Sequence, residues 1–356
     1  SSDIKISRAM VMKKLELALT QAWQKNAAWL KLLTPLSGLY GMVMHARKSL
    51  YHSGKCPIYR AAVPVLVIGN ITVGGSGKTP FIIALTKILR KQGISVAVIS
   101  RGYGGDSTQM PKLVTPTSTP NEVGDEPCLI AQSLYSDGFF LPMAVAPNRG
   151  QAIDLLLKNF PETTLIISDD GLQHYALHRD EEWIVVDVAR GFGNGKLLPQ
   201  GFLREPIDRL QDALVLYHDK DMTKYPKKAM AMSLKVGQIE PLMGNHKSPV
   251  PSVGTYVHAV SGIGHPKRFF DTLSDQGFLV IPHPFGDHHD FRLEDLVDLI
   301  NHPIIVTSKD AVKLRHLATQ TTHDIFNHIW VLPVEMVLSD GIIEQINHLI
   351  VKYKLN

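Results

Sequence analysis

The sequence predicts an α/β fold in two parts. The larger is a mostly parallel sheet domain with N-terminal helices, and the second is a smaller α/β domain. Three observations predict this. Short apolar runs alternate with amphipathic stretches. A glycine-rich turn joins the first apolar run to the first long amphipathic stretch. The alternation stops between about 221 and 252, where Lys, Met, Pro and Gly accumulate, and then resumes. The expected units are an N-terminal helical region at 1–60, a nucleotide-binding domain at 61–220, a connector at 221–252 and a second domain at 253–356.

The elements follow in order. "VPVLVIGN" is a buried strand, and "TPFIIALTKILRKQG" is an amphipathic helix ended by Gly93. "ISVAVISRGYGG" runs from a strand into a glycine-rich turn. "TTLIISDDG", "EEWIVVDV" and "DALVLYH" are further short strands, apolar enough for a sheet covered on both faces. Beyond the connector, "TYVHAVSGIG", "FLVIPHPF" and "PIIVTSKD" read as strands. "HPKRFFDTLSDQG" and "LEDLVDLINH" read as the helices between them.

Composition narrows the function classes. Hydrophobic residues make up 44% of the 356, enough for ordinary globular cores. The net charge of +4 is too small to argue for nucleic acid. Cys56 and Cys128 form no C-x-x-C pair, so neither a zinc site nor a disulfide framework is expected, and a reducing compartment is the default. The most apolar stretch, 27–46, is interrupted by Lys31, Pro35, Gly38 and Gly41 and does not read as a membrane span. From Met10 to Tyr51, Leu, Trp, Tyr and Met are punctuated by Lys13, Lys14, Lys25, Lys31, Arg47 and Lys48. Such helices either lie in a membrane interface or pack on the domain.

In "GGSGKTP", the turn formed by Gly74, Gly75, Ser76 and Gly77 can face anionic oxygens with its N–H groups. Lys78 can reach terminal phosphates and the Thr79 hydroxyl can hold Mg²⁺. The usual phosphate-loop pattern also asks for a glycine where Thr72 stands. Asp169 and Asp170 follow an apolar strand, where such proteins keep a magnesium-organising carboxylate; capping the next helix is the alternative. "EVGDEP" offers Asp125 and Glu126 as groups to orient or deprotonate an acceptor hydroxyl. "HPFGDHHDF" gathers His283, His288 and His289 with Asp287 and Asp290: a metal site, a carboxylate–imidazole pair or a polar cap. Arg101, Arg149 and Arg204 sit in turn-rich stretches and suit phosphate oxygens.

Taken together and in order, "GNITVGGSGKTP", "SRGYGG", "VGDEP", "APNRG", "ISDDGLQH", "GFGNGKLLPQGFLREP", "GIGHPKRFF", "GDHHDF" and "TSKDAVK" resemble the tetraacyldisaccharide 4′-kinase family, the lipid A kinases of Gram-negative bacteria. The resemblance implies transfer of the ATP γ-phosphoryl group, with Mg²⁺, to the 4′-hydroxyl of a tetraacylated disaccharide 1-phosphate. It implies a peripheral or monotopic protein on the cytoplasmic face of the inner membrane, held by its N-terminal helices. It assigns Asp125, His288 and Lys78 to catalysis, and residues 74–79 to nucleotide binding. Thr79, Asp169 and Asp170 fall to the metal, and Arg149, Arg204 and Asp287 to phosphate or substrate contacts. Ser76 stands where the family carries threonine. A regulatory GTPase fits less well, because "TSKD" puts Lys309 directly before Asp310 and leaves no guanine motif. A metal phosphoesterase built on Asp287, His288 and His289 leaves the phosphate loop unexplained.

Overall fold

A computed structural model describes residues 18–244 and 249–355. Met10, Lys13 and Lys14 of the expected helical N-terminus lie outside the described residues, as do residues 245–248 of the expected connector. The chain is mixed α/β and builds two sheets. The larger has nine strands in the order β14-β8-β7-β6-β1-β5-β2-β4-β3. These are β1 (Val65–Gly69), β2 (Val96–Ser100), β3 (Lys112–Leu113), β4 (Met143–Val145), β5 (Leu165–Asp169), β6 (Glu181–Asp187), β7 (Leu214–His218), β8 (Ala231–Val236) and β14 (Val334–Leu338). The smaller has the order β11-β10-β12-β13-β9. Its strands are β9 (Glu240–Pro241), β10 (Tyr256–Ser261), β11 (Leu279–Pro284), β12 (Ile304–Thr307) and β13 (Ile329–Leu332).

β1, β2 and β5 are buried at every position, as strands covered on both faces must be. β1 pairs in parallel with β5 on one side and β6 on the other. The chain therefore reverses its direction of travel across the sheet beside β1, and ligand crevices open at such a point. The helix Lys78–Lys91 buries Phe81, Ile82, Leu85 and Leu89 on one stripe. It stops at Gln92, before Gly93 with its φ of +82°.

Three expectations change. The connector is not one: β8 lies in the large sheet and β9 pairs antiparallel with β13 in the small one. The second domain does not run to 356, because β14 pairs antiparallel with β8 and returns to the large sheet. The helix Asp340–Tyr353 then buries Ile342, Ile346, Leu349 and Ile350 in the cluster that holds Leu66, Phe81 and Leu85. The small unit is thus an insertion between β8 and β14. Third, "LEDLVDLINH" forms two short 3₁₀ turns, Leu293–Asp295 and Val297–Leu299, rather than one helix.

The N-terminal helix Thr34–His52 is docked through polar groups. Ser37 is buried, donates to the Leu197 carbonyl at 3.0 Å and accepts from the Gln200 N–H at 2.9 Å. The Tyr40 hydroxyl donates to the Arg204 carbonyl at 3.0 Å. On this helix Leu36, Leu39, Met42 and Val43 are exposed, and just before it Leu32 is 80% exposed. This inverts the usual arrangement, in which the apolar stripe faces the core.

Candidate active site

The loops leaving β1, β2 and β5 meet at the carboxyl end of the large sheet. The first is the glycine-rich loop. Gly74 and Gly77 both have φ of +92°, a left-handed value that side chains rarely adopt. Thr72 needs no such freedom, because it sits in an antiparallel bridge with Leu203, and Val73 N–H donates to the Phe202 carbonyl at 2.8 Å. The stretch 202–204 lines the loop and holds residue 72 extended, which accounts for the missing glycine. Lys78 is buried, with Nζ 3.2 Å from Asn70 Oδ1 and 3.3 Å from Asp170 Oδ1.

Asp169 ends β5 and Asp170 follows it. Ser100 at the end of β2 donates to Asp169 Oδ2 at 3.2 Å. Among the described residues Asp169 Oδ1 is buried with no hydrogen-bond partner. Burial raises the Asp169 carboxyl well above its ordinary range, helped by the charges of Glu126 and Asp170. Burial also pushes Asp170 up, but Lys78 and Arg204 outweigh it and hold that carboxyl below the usual range. Asp170 has φ of +48°, a conformation costing about 1–3 kcal/mol at a residue other than glycine. An orphaned buried carboxylate oxygen beside a phosphate loop suits a hard divalent cation that takes oxygen ligands. Among the described residues no group of three or more His, Cys, Asp or Glu forms a cage.

Arg204 and Arg149 differ in what they hold. Arg204 Nη1 pairs with Asp170 Oδ2 at 2.8 Å. Arg149 is buried, and its terminal nitrogens donate to the carbonyls of Ala146 at 3.0 Å and Asp169 at 3.2 Å. Arg101 is exposed.

Asp125 opens the helix Asp125–Ser136, where the helix dipole favours negative charge. Gly124 precedes it with φ of +92°, and a Cβ there would lie 2.4 Å from the Tyr103 carbonyl oxygen. That close approach is why the stretch carries glycine. The small unit supplies Asp125's partner. His288 Nδ1 lies 3.0 Å from both Oδ1 and Oδ2 of Asp125. His288 has φ of +56°, and its N–H donates to the Gly262 carbonyl. Burial raises Asp125, yet the bond from His288 and the charges of Lys309 and Lys313 bring it down to about 2. Burial lowers His288, but its bond to Asp125 and the charges of Asp125 and Asp287 together outweigh this, and its pKa rises above the ordinary histidine value.

The three histidines of "HPFGDHHDF" part company. His283 bonds His258 at 2.9 Å, and His289 bonds Asp295 at 2.9 Å, away from the dyad. Asp287 takes a contact from Lys309 at 3.3 Å and faces Gly264, whose Cβ would lie 3.5 Å from the Gly75 nitrogen. The small unit's loops therefore reach the phosphate loop. Residues the motifs did not single out complete the site. Asn70 fixes Lys78, and Ser100 fixes Asp169. His218 Nδ1 lies 3.1 Å from the Ser76 carbonyl oxygen, and Arg268 reaches His218 Nε2 at 3.2 Å. Lys309 stands among Glu126, Asp287 and His288. Each lies at a strand or helix end, and all but His218 fall inside the stretches that carry the family resemblance.

Comparison with known proteins identifies a family. The sequence model for tetraacyldisaccharide-1-P 4′-kinase matches residues 29–351. A tetraacyldisaccharide 4′-kinase from Psychrobacter cryohalolentis is 53% identical over 93% of this chain and 95% of its own. One from Pseudomonas syringae pv. syringae is 41% identical over 91% of this chain and 95% of its own. A crystal structure of LpxK from Aquifex aeolicus in complex with ATP superposes with a TM-score of 0.70, at 25% identity, covering 91% of this chain and 99% of that one. With the family match running over most of its length, the chain belongs to the tetraacyldisaccharide-1-P 4′-kinase family.

Proposed function

We propose that this protein transfers the γ-phosphoryl group of ATP to the 4′-hydroxyl of a tetraacylated disaccharide 1-phosphate, a step of lipid A synthesis. The observation that carries the reading is the Asp125–His288 pair, one residue from each unit, held beside a phosphate loop. Family membership and the likeness to an ATP complex support the nucleotide and the acceptor. Residues 74–79 cradle the phosphates through backbone N–H groups, and Lys78 leaves Asn70 and Asp170 for the terminal phosphates. Thr79, Asp169 and Asp170 are the residues that would hold Mg²⁺, whose charge would offset that developing on the phosphates. Arg204 keeps Asp170 in place, and Arg149 fixes the backbone under both aspartates. Asp125 takes up the hydroxyl proton late in transfer, since a carboxylate near 2 is a weak base early on. Positioning and charge neutralisation then supply most of the rate enhancement.

Membrane placement rests on a separate observation. Among the described residues no helix is long and apolar enough to cross a membrane. The helix Thr34–His52 instead turns Leu36, Leu39, Met42 and Val43 outward while polar groups dock it, and Lys31, Arg47 and Lys48 flank that face. This supports an interfacial attachment at the cytoplasmic face of the inner membrane. The test of the activity is label transfer from γ-labelled ATP, with Mg²⁺, into the disaccharide lipid in detergent. Folded, ATP-binding protein that leaves the lipid unlabelled would overturn the assignment.

A further inference from the structure

Lys309 lies in the first turn of the helix Ser308–Gln320, in the small unit, and points across to the large one. Its Nζ lies 3.2 Å from Glu126 Oε1, 3.3 Å from Asp287 Oδ1, 3.4 Å from His288 Nε2 and 3.9 Å from Asp125 Oδ2. We infer that Lys309 is a positioning residue for the dyad. It caps His288 Nε2 and so selects, whenever the ring is neutral, the tautomer whose Nδ1–H donates to Asp125. The catalytic consequence rests on the kinase reading above; the tautomer does not.

The argument is one of donors and acceptors. An ammonium has three N–H donors and no acceptor, so His288 Nε2 can meet it only with a lone pair. The single ring proton of a neutral imidazole then sits on Nδ1, midway between the two Asp125 oxygens. An imidazolium would turn an Nε2–H against the Lys309 ammonium. Burial lowers the Lys309 pKa, but Glu126, Asp287 and Asp125 outweigh that and keep it protonated. The other groups around His288 do not replace it. Asp287 Oδ1 also faces His288 Nε2, but at 3.9 Å it is farther than Lys309 and is itself held by Lys309 at 3.3 Å. Lys313 Nζ lies 4.0 Å from Asp125 but 3.3 Å from Asp310. Asp310 is occupied by Thr307 and the Gly262 N–H. Tyr103 meets the imidazole edge-on, with ring centroids 5.2 Å apart.

Without Lys309, His288 Nε2 is free to take a proton. A charged His288 would hold the Asp125 lone pairs in an ion pair and oppose their taking the hydroxyl proton. Removing the ammonium should therefore move the acid limb of kcat to higher pH. Lys309→Met should shift it up by about one pH unit, and Lys309→Arg, which keeps charge and donors, should restore it. A purely structural role would lower kcat at every pH and leave the limb in place.

The tautomer itself is read by nitrogen NMR of the full chain with ¹⁵N-labelled histidine, assigned with His288→Gln. Above its titration, His288 should show a protonated Nδ1 and a lone pair on Nε2. A proton on Nε2 in the wild-type protein, or an unmoved acid limb in Lys309→Met, overturns the inference. If Lys309→Met does not fold, the wild-type spectrum decides. If wild-type protein labels no lipid, the kinase reading fails while the spectrum still tests the Lys309 contact.

Discussion

Asp125 and His288 come from different units, so neither can be replaced by a neighbour in sequence. Asp125→Ala should lower kcat by about 10²–10⁴-fold, the usual worth of a positioned acid–base group. ATP affinity, measured by calorimetry, should stay within about threefold, because Asp125 makes no contact with the phosphate loop's lysine. His288 carries a pH signature in stability as well. Its folded pKa is raised, so its bond to Asp125 stabilises the protein most below about 6.5 and loses that effect as pH rises through the folded value. His288→Gln should therefore lower Tm by roughly 2 °C more in mild acid than at alkaline pH. An equal loss at both would show that the pair is not titrating. At this scale the sequence was legible wherever chemistry clusters along the chain: Lys78, Thr79, Asp125, Asp169, Asp170 and His288 all lie where the loops converge. Lys309 was visible only inside "TSKDAVK" and as evidence against a guanine motif. Its role depends on Glu126, 183 residues away, and no local spacing reveals that.

Among the elements, the helix Thr34–His52 carries a polar docking edge beside an exposed apolar one. Ser37 and Tyr40 bind it to the stretch 197–204, and the outward face leaves Leu36, Leu39 and Val43 in contact with solvent. Replacing these three by Glu should weaken sedimentation with anionic vesicles by about tenfold or more, since both apolar burial and charge attraction are lost. Tm should hardly move, because exposed residues contribute little to stability. Unchanged vesicle binding would reject the attachment. Hydropathy left two alternatives open for this region, interface or packed pair. The structure docks the helix through polar groups and leaves apolar residues exposed, and period alone does not say which face docks. The glycine-rich loop teaches a related lesson. Its pattern asks for glycine at 72, but the neighbouring stretch pairs with Thr72 and keeps the backbone extended. A partner that distant leaves no trace in a local pattern.

For the molecule as a whole, the strands were legible from their apolar runs, and the mostly parallel large sheet followed from their rhythm. The boundaries were not. Apolar periodicity marks β14 as a strand but cannot say which sheet it joins, and β8 lies about a hundred residues before it. The C-terminal helix makes the difference measurable. Ile346 is buried in the core of the large sheet, so Ile346→Ala should cost about 2–5 kcal/mol in denaturant unfolding. A loss below about 1 kcal/mol would place that helix outside the core. The insertion also sets an order of events during synthesis. A ribosome delivers both loops that carry Asp125 and His288, and the whole of the small unit, before it delivers β14 and the helix Asp340–Tyr353. Until those last residues emerge, β8 is an open edge and Phe81 and Leu85 lack part of their cover. The large sheet is thus completed after the small unit, and a chain stalled just after the small unit would carry every site residue beside an unfinished sheet.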